Sequence, residues 1–387
     1  MNVVFVITSS EDNAKGGHFR SCLTIAKSLR RKGVNIRILN VGVVLSPIFR
    51  QCDVVVDFID IKAYSWPYKF YSFYKNIKDR TKETKVLAFD FFSFFLVRTV
   101  CFFTKHPFGY FRCGGPNLRY FPFSKWVFCF SPESYSCFVG RFPKSIVYLF
   151  PNRVEKLTSH SNGKLRRILN NKYPIILRVG RLVTNYADIN KTCLNLSRFL
   201  HSMNIPHNLV FIGYPENHHS NYFLNFKAEC DLNVNATLLT TPEFTANAAL
   251  FLSEADLVVG TGRGAMEAIV EKRIVAVFSK SHNIPVLLQS PEIFNSSLDF
   301  NFSLRNDLSF VNSELNRVSM VDLFLNRSYS YEVLSFLNDR RKLFDVDEVA
   351  GEYMNAFYEM TYDDESHFVD GLKHFLKMFL FKAISLR

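Results

Sequence analysis

Three glycines, an arginine and a glutamate crowd into Gly260-Thr261-Gly262-Arg263-Gly264-Ala265-Met266-Glu267. Glycine admits positive φ and lets a ligand come close to the backbone. At a helix start, such a turn points N–H groups at an anion. Arg263 lies in the turn, where a guanidinium can make paired bonds to phosphate oxygens. Glu267 sits one turn into the following helix and can accept hydrogen bonds from hydroxyls. The inferred ligand therefore carries a phosphate beside a hydroxylated group, as a nucleotide sugar does.

Two other readings of this corner stay open. It fits a plain strand-to-helix turn, with Glu267 a surface acid near a helix start. It also fits a dinucleotide fingerprint loosely, through Gly260-x-Gly262-x-x-Ala265. That fingerprint asks for an acid about twenty residues later, where this chain has Lys280 and Ser281. Elsewhere, Gly16-Gly17 precedes a helical pattern and offers a second place for an anion, or only a turn. Gly180-Arg181 and Gly213 each close an apolar run. His106 follows an apolar run read as a strand, Val100 to Phe103, and so is expected at a carboxyl end. Asp345-x-Asp347 resembles a metal pair, but an Asp before a helix is an expected cap.

Repeated strand and helix patterns must hold these residues in place. Asn2 to Thr8 reads as a buried strand, His18 to Arg31 as an amphipathic helix and Val34 to Val41 as the next strand. This βαβ start implies a parallel sheet. Val54 to Ile59, Val86 to Phe89, Trp126 to Phe130 and Ile146 to Phe150 extend it, and Ser131-Pro132 opens a helix. A second run of βα units begins at Ile175 to Val179 and leads through a helix over 189–203. Strands follow at Leu209 to Ile212, Ala236 to Leu239 and Leu257 to Val259, with a helix over 246–253 before the last. Asn295 to Ser313 is expected to be irregular, Tyr331 to Leu337 and Glu348 to Met360 helical. The expected domains are 1–155, 156–343 and a closing segment 344–387 with a basic amphipathic tail.

The chain has 387 residues, 41 of them Phe, and a formal charge of +12. Large cores follow from the apolar content, and an anionic partner from the charge. Nucleic acid is not expected, because no zinc-finger spacing or RNP-like motif is present. The 8 cysteines form no C-x-x-C pair, which suggests neither zinc nor a redox centre and suits a reducing cytoplasm. The N-terminus lacks a signal-peptide pattern, and Asp90 and Arg98 interrupt the most apolar stretch. Lys69 to Lys85 mixes basic and aromatic residues, either a solvated helix face or a surface for anionic lipid. The tail from His367 has apolar spacing suited to packing or to a membrane interface.

Taken together, these motifs resemble the GT-B glycosyltransferases, and within them the retaining glycosyltransferase family 4. The resemblance rests on Gly16-Gly17, Ser131-Pro132-Glu133-Ser134, Pro151-Asn152-Arg153-Val154-Glu155, Val179-Gly180-Arg181-Leu182, Gly262 through Glu267-Ala268, and Phe344 to Tyr358. It implies two Rossmann-like domains facing across a cleft, the second holding a nucleoside diphosphate sugar. It implies that Arg181 and Lys191 neutralise the diphosphate, that Glu267 binds ribose, and that His106 and Gly17 orient the sugar. It further implies transfer with retention, without metal or other cofactor, to a glycan or lipid-linked acceptor. The expected setting is bacterial surface-polysaccharide synthesis, in the cytoplasm or peripherally at the inner membrane face. A GT-B epimerase and a non-catalytic sugar-nucleotide binder are the alternatives. Two departures stand out: Val259 occupies the place of the family's first signature glutamate, and Lys191 lies ten positions after Arg181.

Overall fold

The computed structural model describes residues 1–362 except 11–15, 51, 62–65, 116, 118–120, 152, 159–160, 171 and 216. The chain forms two compact units, one of Met1–Arg153 joined by the segment that starts at Val346, the other Val154–Asp345. The switch of unit falls at a parallel bridge between Val154 and Asp345, two residues from each expected boundary. The tail from His367 lies outside the described residues.

In chain order the first unit holds β1 (Asn2–Ser9), α1 (Gly17–Arg31), β2 (Asn35–Gly42), β3 (Val55–Asp60), α2 (Trp66–Lys78) and β4 (Lys85–Ala88). It continues with α3 (Phe91–Thr104), β5 (Phe108–Arg112), β6 (Trp126–Cys129), α4 (Pro132–Arg141) and β7 (Ile146–Leu149). The strands make one 7-stranded sheet in the order β3-β2-β1-β4-β5-β6-β7. Every pairing in it is parallel, with Asn2 opposite Asn35 and Val3 opposite Lys85. Central strands such as β1 are covered on both faces, so they read as continuous apolar runs. Helix α1 buries Phe19, Cys22, Ile25, Ala26 and Leu29 along one stripe. Gly33, at φ 84°, ends it in the left-handed region.

The second unit begins with α5 (Lys164–Ile168), β8 (Ile175–Val179), α6 (Ala187–Ser202), β9 (Asn208–Ile212), α7 (Asn221–Asp231), β10 (Ala236–Leu239) and α8 (Pro242–Thr245). There follow β11 (Leu257–Gly260), α9 (Arg263–Val270), β12 (Ile274–Val277), β13 (Val286–Leu287), α10 (Pro291–Asp299), α11 (Ser313–Leu325) and α12 (Arg327–Arg340). Its 6-stranded sheet runs β10-β9-β8-β11-β12-β13, parallel except for the β12–β13 edge pair.

Some expected elements change. Val100 to Phe103 is the end of α3, not a strand, because the Asp90–Ser93 capping box starts a helix that runs on to Thr104. Phe94, Val97, Val100 and Cys101 pack as a buried helix stripe, which a short apolar run cannot announce. The 246–253 helix is a 3₁₀ turn over Ala248–Glu254. The stretch expected to be irregular from Asn295 is helical to Asp299, and Asn312 then caps α11.

The last described helix, α13 (Ala350–Glu359), belongs to the first unit. Its Tyr353 and Phe357 join an aromatic core of Phe5, Phe89, Phe111, Phe128, Phe130 and Phe150. Phe357 meets Phe5, Phe111 and Phe128 edge-on at centroid distances of 6.4, 6.3 and 5.4 Å. Asp347, just before this helix, accepts hydrogen bonds from Ser28 and Arg31 on α1. Phe357→Ala should therefore destabilise the first unit by about 3–5 kcal/mol. Urea unfolding followed by aromatic fluorescence measures this; a shift typical of a surface residue would mean α13 is only appended.

Candidate functional site

Strand order reverses once in each sheet, between β1 and β4 in the first unit and between β8 and β11 in the second. Ligands of open α/β sheets bind beyond the carboxyl ends of the strands at such points. In the second unit, the loops that leave β8 and β11 carry Gly180-Arg181 and the Gly260–Gly264 corner. Sequence spacing chose these two loops, and the sheet order makes them neighbours.

Each glycine of the corner has its own reason. A Cβ on Gly260 would stand 2.6 Å from Ala265 Cα, so this glycine lets α9 pack tightly against β11. Gly262 sits at φ 52° and ψ −127°, a conformation open to glycine and closed to L side chains. Around Gly264 a Cβ would meet nothing within 4 Å, which leaves an approach for a ligand. Two of the N–H groups are already used by the protein. Gly262 donates to Phe302 O at 2.8 Å and Gly264 to Thr261 O at 3.0 Å. The corner is thus held from behind by the loop after α10, and only the rest of the α9 N-terminus can serve an anion.

Arg263 and Glu267 meet each other: Arg263 Nε donates to Glu267 Oε1 at 2.7 Å. Spacing alone assigns them to separate ligand groups; the helix pitch makes them an i,i+4 ion pair. A carboxylate has two oxygens, so one shared bond leaves Glu267 able to accept further hydrogen bonds.

Arg181 is exposed just past β8, with its Cζ 5.4 Å from the centre of the Tyr186 ring. Lys191 comes later in the chain. A 3₁₀ turn over Thr184–Tyr186 intervenes, and Lys191 stands exposed in the second turn of α6. Gly213 serves the loops themselves: its Cβ would lie 1.9 Å from Gly180 O, so only glycine lets the β9 loop back the β8 loop.

Sequence reasoning passed over Arg178. It interrupts the apolar run of β8 and is 2% exposed. Its Nη1 donates to Val179 O at 2.9 Å and to Val259 O at 3.4 Å. Its Nε and Nη2 are buried without a partner. Burial lowers the pKa of this guanidinium. A charged residue inside an otherwise apolar strand was the available signal.

In the first unit, Gly16 caps α1 in an extended conformation and Gly17 opens it, with nothing within 4 Å of where a Cβ would be. Across the switch point, Asp90 accepts from Thr8 N–H and Thr8 hydroxyl, both at 2.7 Å, and from Ser93 N–H at 2.8 Å. Asp90 ties β1 to the start of α3. Burial lowers the pKa of His18, and the Asp90 carboxylate opposes that shift.

His106 is elsewhere. It precedes β5 and so lies at the amino end of the strand, away from the ligand edge. Its ring is fully buried, with Nδ1 bonded to Thr104 Oγ1 at 2.9 Å and Nε2 to Thr81 O at 3.0 Å. Both nitrogens are taken, so the expected role in orienting a sugar is withdrawn. The error follows from reading the end of α3 as a strand. Among the described residues, no group of three His, Cys, Asp or Glu side chains could hold a metal ion. No described helix is long and apolar enough to cross a membrane.

No family model matches the sequence, and no curated protein matches it. Solved structures do resemble it. HepE of Anabaena, crystallised with UDP, is similar at a TM-score of 0.68 and 14% identity, over 93% of this chain and 100% of that one. A glycosyltransferase of Rickettsia africae gives 0.63 and 14%, over 92% and 98%. The UDP-GlcNAc 2-epimerase of Neisseria meningitidis, bound to UDP-GlcNAc, gives 0.53 and 14%, over 93% and 100%. The two Rossmann-like units therefore have the GT-B fold.

His106→Leu should lower stability by about 2–3 kcal/mol, from two lost bonds and an unsatisfied carbonyl, while nucleotide binding stays unchanged. Burial also lowers the pKa of His106 and of His207 below the ordinary 6.5. The unfolded chain then binds more protons below that value, so stability falls as pH drops through it. Melting temperatures at about pH 7.5 and about pH 5.5 should show this loss, reduced in His106→Leu. A variant as stable as wild type but unable to bind nucleotide would return His106 to the site.

Proposed function

We propose that this chain is a glycosyltransferase that moves a sugar from a nucleoside diphosphate sugar to a glycan or lipid-linked glycan. One observation carries the reading. The β8–β11 switch point brings the Arg181 loop and the glycine corner at the start of α9 to one edge of the second sheet. The fold is shared with proteins crystallised with UDP and UDP-glucose, which supports the choice of ligand.

In this reading the diphosphate rests at the α9 N-terminus beside Gly264. Arg181 and Arg263 neutralise it, and Lys191 adds positive potential from the second turn of α6. Glu267 accepts from ribose hydroxyls while keeping its bond to Arg263. Negative charge grows on the phosphate as the bond from the anomeric carbon to the phosphate oxygen breaks. Cations placed there stabilise the transition state more than the ground state. The acceptor oxygen bonds to the same face of that carbon, and its proton passes to the departing phosphate oxygen. Retention is therefore part of the proposal, and no metal is assigned to the step. Gly16 and Gly17, at the ligand edge of the first unit, are assigned in this proposal to the acceptor.

The acceptor is proposed to sit at an anionic membrane surface. Tyr68, Tyr71 and Phe103 are 70%, 61% and 65% exposed on α2 and α3, among Lys69, Lys75, Lys78 and Lys105. Exposed aromatics interleaved with lysines suit the headgroup layer. The neighbouring epimerase structure keeps a second reading in view, since it too binds a nucleotide sugar.

Arg181→Ala and Glu267→Ala should each lower turnover by about 100-fold or more with the far-UV spectrum unchanged. A thermal-shift screen over nucleotides and nucleotide sugars identifies the donor for this assay. Turnover at the wild-type rate in both variants would remove these residues from the site. Incubating a nucleotide sugar without acceptor separates the readings, because an epimerase gives an epimer and a transferase only slow hydrolysis. The protein should also float with anionic liposomes and not with neutral ones, and a Tyr71→Ser, Phe103→Ser double variant should float less. Equal recovery with both liposomes would reject the membrane surface.

A further inference from the structure

The buried guanidinium of Arg178 carries a cost that its own contacts in the second unit do not offset. Its Nη1 bonds the carbonyl of Val179, the last residue of β8, and that of Val259, one residue before the end of β11; these two strands flank the switch point. Gly180 makes room for it, since a Cβ there would stand 2.7 Å from Nη2 and 2.9 Å from Cζ. The Tyr186 ring is near both arginines, its centre 5.9 Å from Arg178 Cζ and 5.4 Å from Arg181 Cζ. Among the described residues no carboxylate forms an ion pair with Arg178, and burial lowers its pKa. A buried cation with two unpartnered donors and, among the described residues, no counter-ion is costly in the unliganded protein. Hydrophobic residues of similar volume would fill the same space at lower cost.

We infer that Arg178 is a positioning residue for the donor's diphosphate: a buried positive charge beneath the Gly180-Arg181 loop that supplies the field in which the anion settles. This deepens the nucleotide-sugar reading and rests on it. The anion does not touch Arg178. It gains from the charge across the thin floor formed by Gly180, where low polarisability keeps the field strong. The same guanidinium ties the carbonyl ends of β8 and β11 together, which fixes the spacing of the two loops. Arg181, exposed above that floor, makes the direct contact.

The test uses the full-length protein and three probes: inorganic pyrophosphate, UDP and uridine. Calorimetric titration should show Arg178→Met binding pyrophosphate and UDP at least about tenfold more weakly than wild type, with uridine unaffected. The unliganded variant should melt at a higher temperature than wild type, because the uncompensated charge is gone. A merely structural arginine predicts the opposite pair: a lower melting temperature and unchanged pyrophosphate affinity. Either of those results overturns the inference. If Arg178→Met does not fold, Arg178→Lys decides. It keeps the charge and should hold pyrophosphate within about threefold of wild type, and a larger loss rejects the field as the cause. Wild-type protein that responds to none of the anionic probes rejects the nucleotide-sugar reading itself. A wild-type response matched in full by Arg178→Met rejects only the role of Arg178.

Discussion

A parallel sheet built outward from its first strand in both directions must leave a gap where the order reverses. Right-handed crossovers place the helices on opposite faces at that point, so the carboxyl ends there are roofed by loops alone. Both sheets of this protein obey the constraint, at β1–β4 and at β8–β11. Everything proposed about function hangs on the second gap. The glycines near it mark where backbone had to approach backbone or helix. Gly260 admits α9, Gly213 admits the β8 loop, and Gly262 takes the one conformation that turns β11 into α9.

Charge at that gap is arranged by depth. Arg181 stands exposed above Gly180, and Arg178 lies buried beneath it. Arg263 is held by Glu267 at the first turn of α9. An exposed arginine is cheap and mobile, whereas a buried one is costly and fixed. Fixed charge acts on a bound anion without reorganising at the moment of reaction. Val259 stands beside this buried cation and lends it only a backbone carbonyl. The chain therefore carries a buried valine beside a buried positive charge where the family resemblance expects an acid.

Stability has a different address. The first unit is held by stacked and edge-on phenylalanines from β1, β5 and β6, closed by Tyr353 and Phe357 of α13. The chain reaches that helix only after completing the second unit, and Asp347 ties it to Ser28 and Arg31 of α1. Aromatic pairs contribute beyond their buried area, which accounts for many of the phenylalanines. His106 belongs to this structural side of the molecule, with both ring nitrogens bonded.

The sequence alone determined the class of fold, most of the strands and the glycine corner, because periodicity and glycine demand are local properties. Asn2 to Thr8 as a buried strand and Ser131-Pro132 as a helix start could be read from spacing alone. Tertiary structure decided what local pattern cannot carry. Val100 to Phe103 is equally apolar as strand or helix, and only the cap at Asp90 and the packing around it chose helix. That choice moved His106 to the wrong edge of the sheet for a ligand. Arg263 and Glu267 were each visible, but their bond to one another depends on helix geometry. Arg178 was visible too, as a basic residue in an apolar strand. That its guanidinium ends unpartnered beneath Gly180 depends on which strands are neighbours, and sheet order is a property of the whole fold.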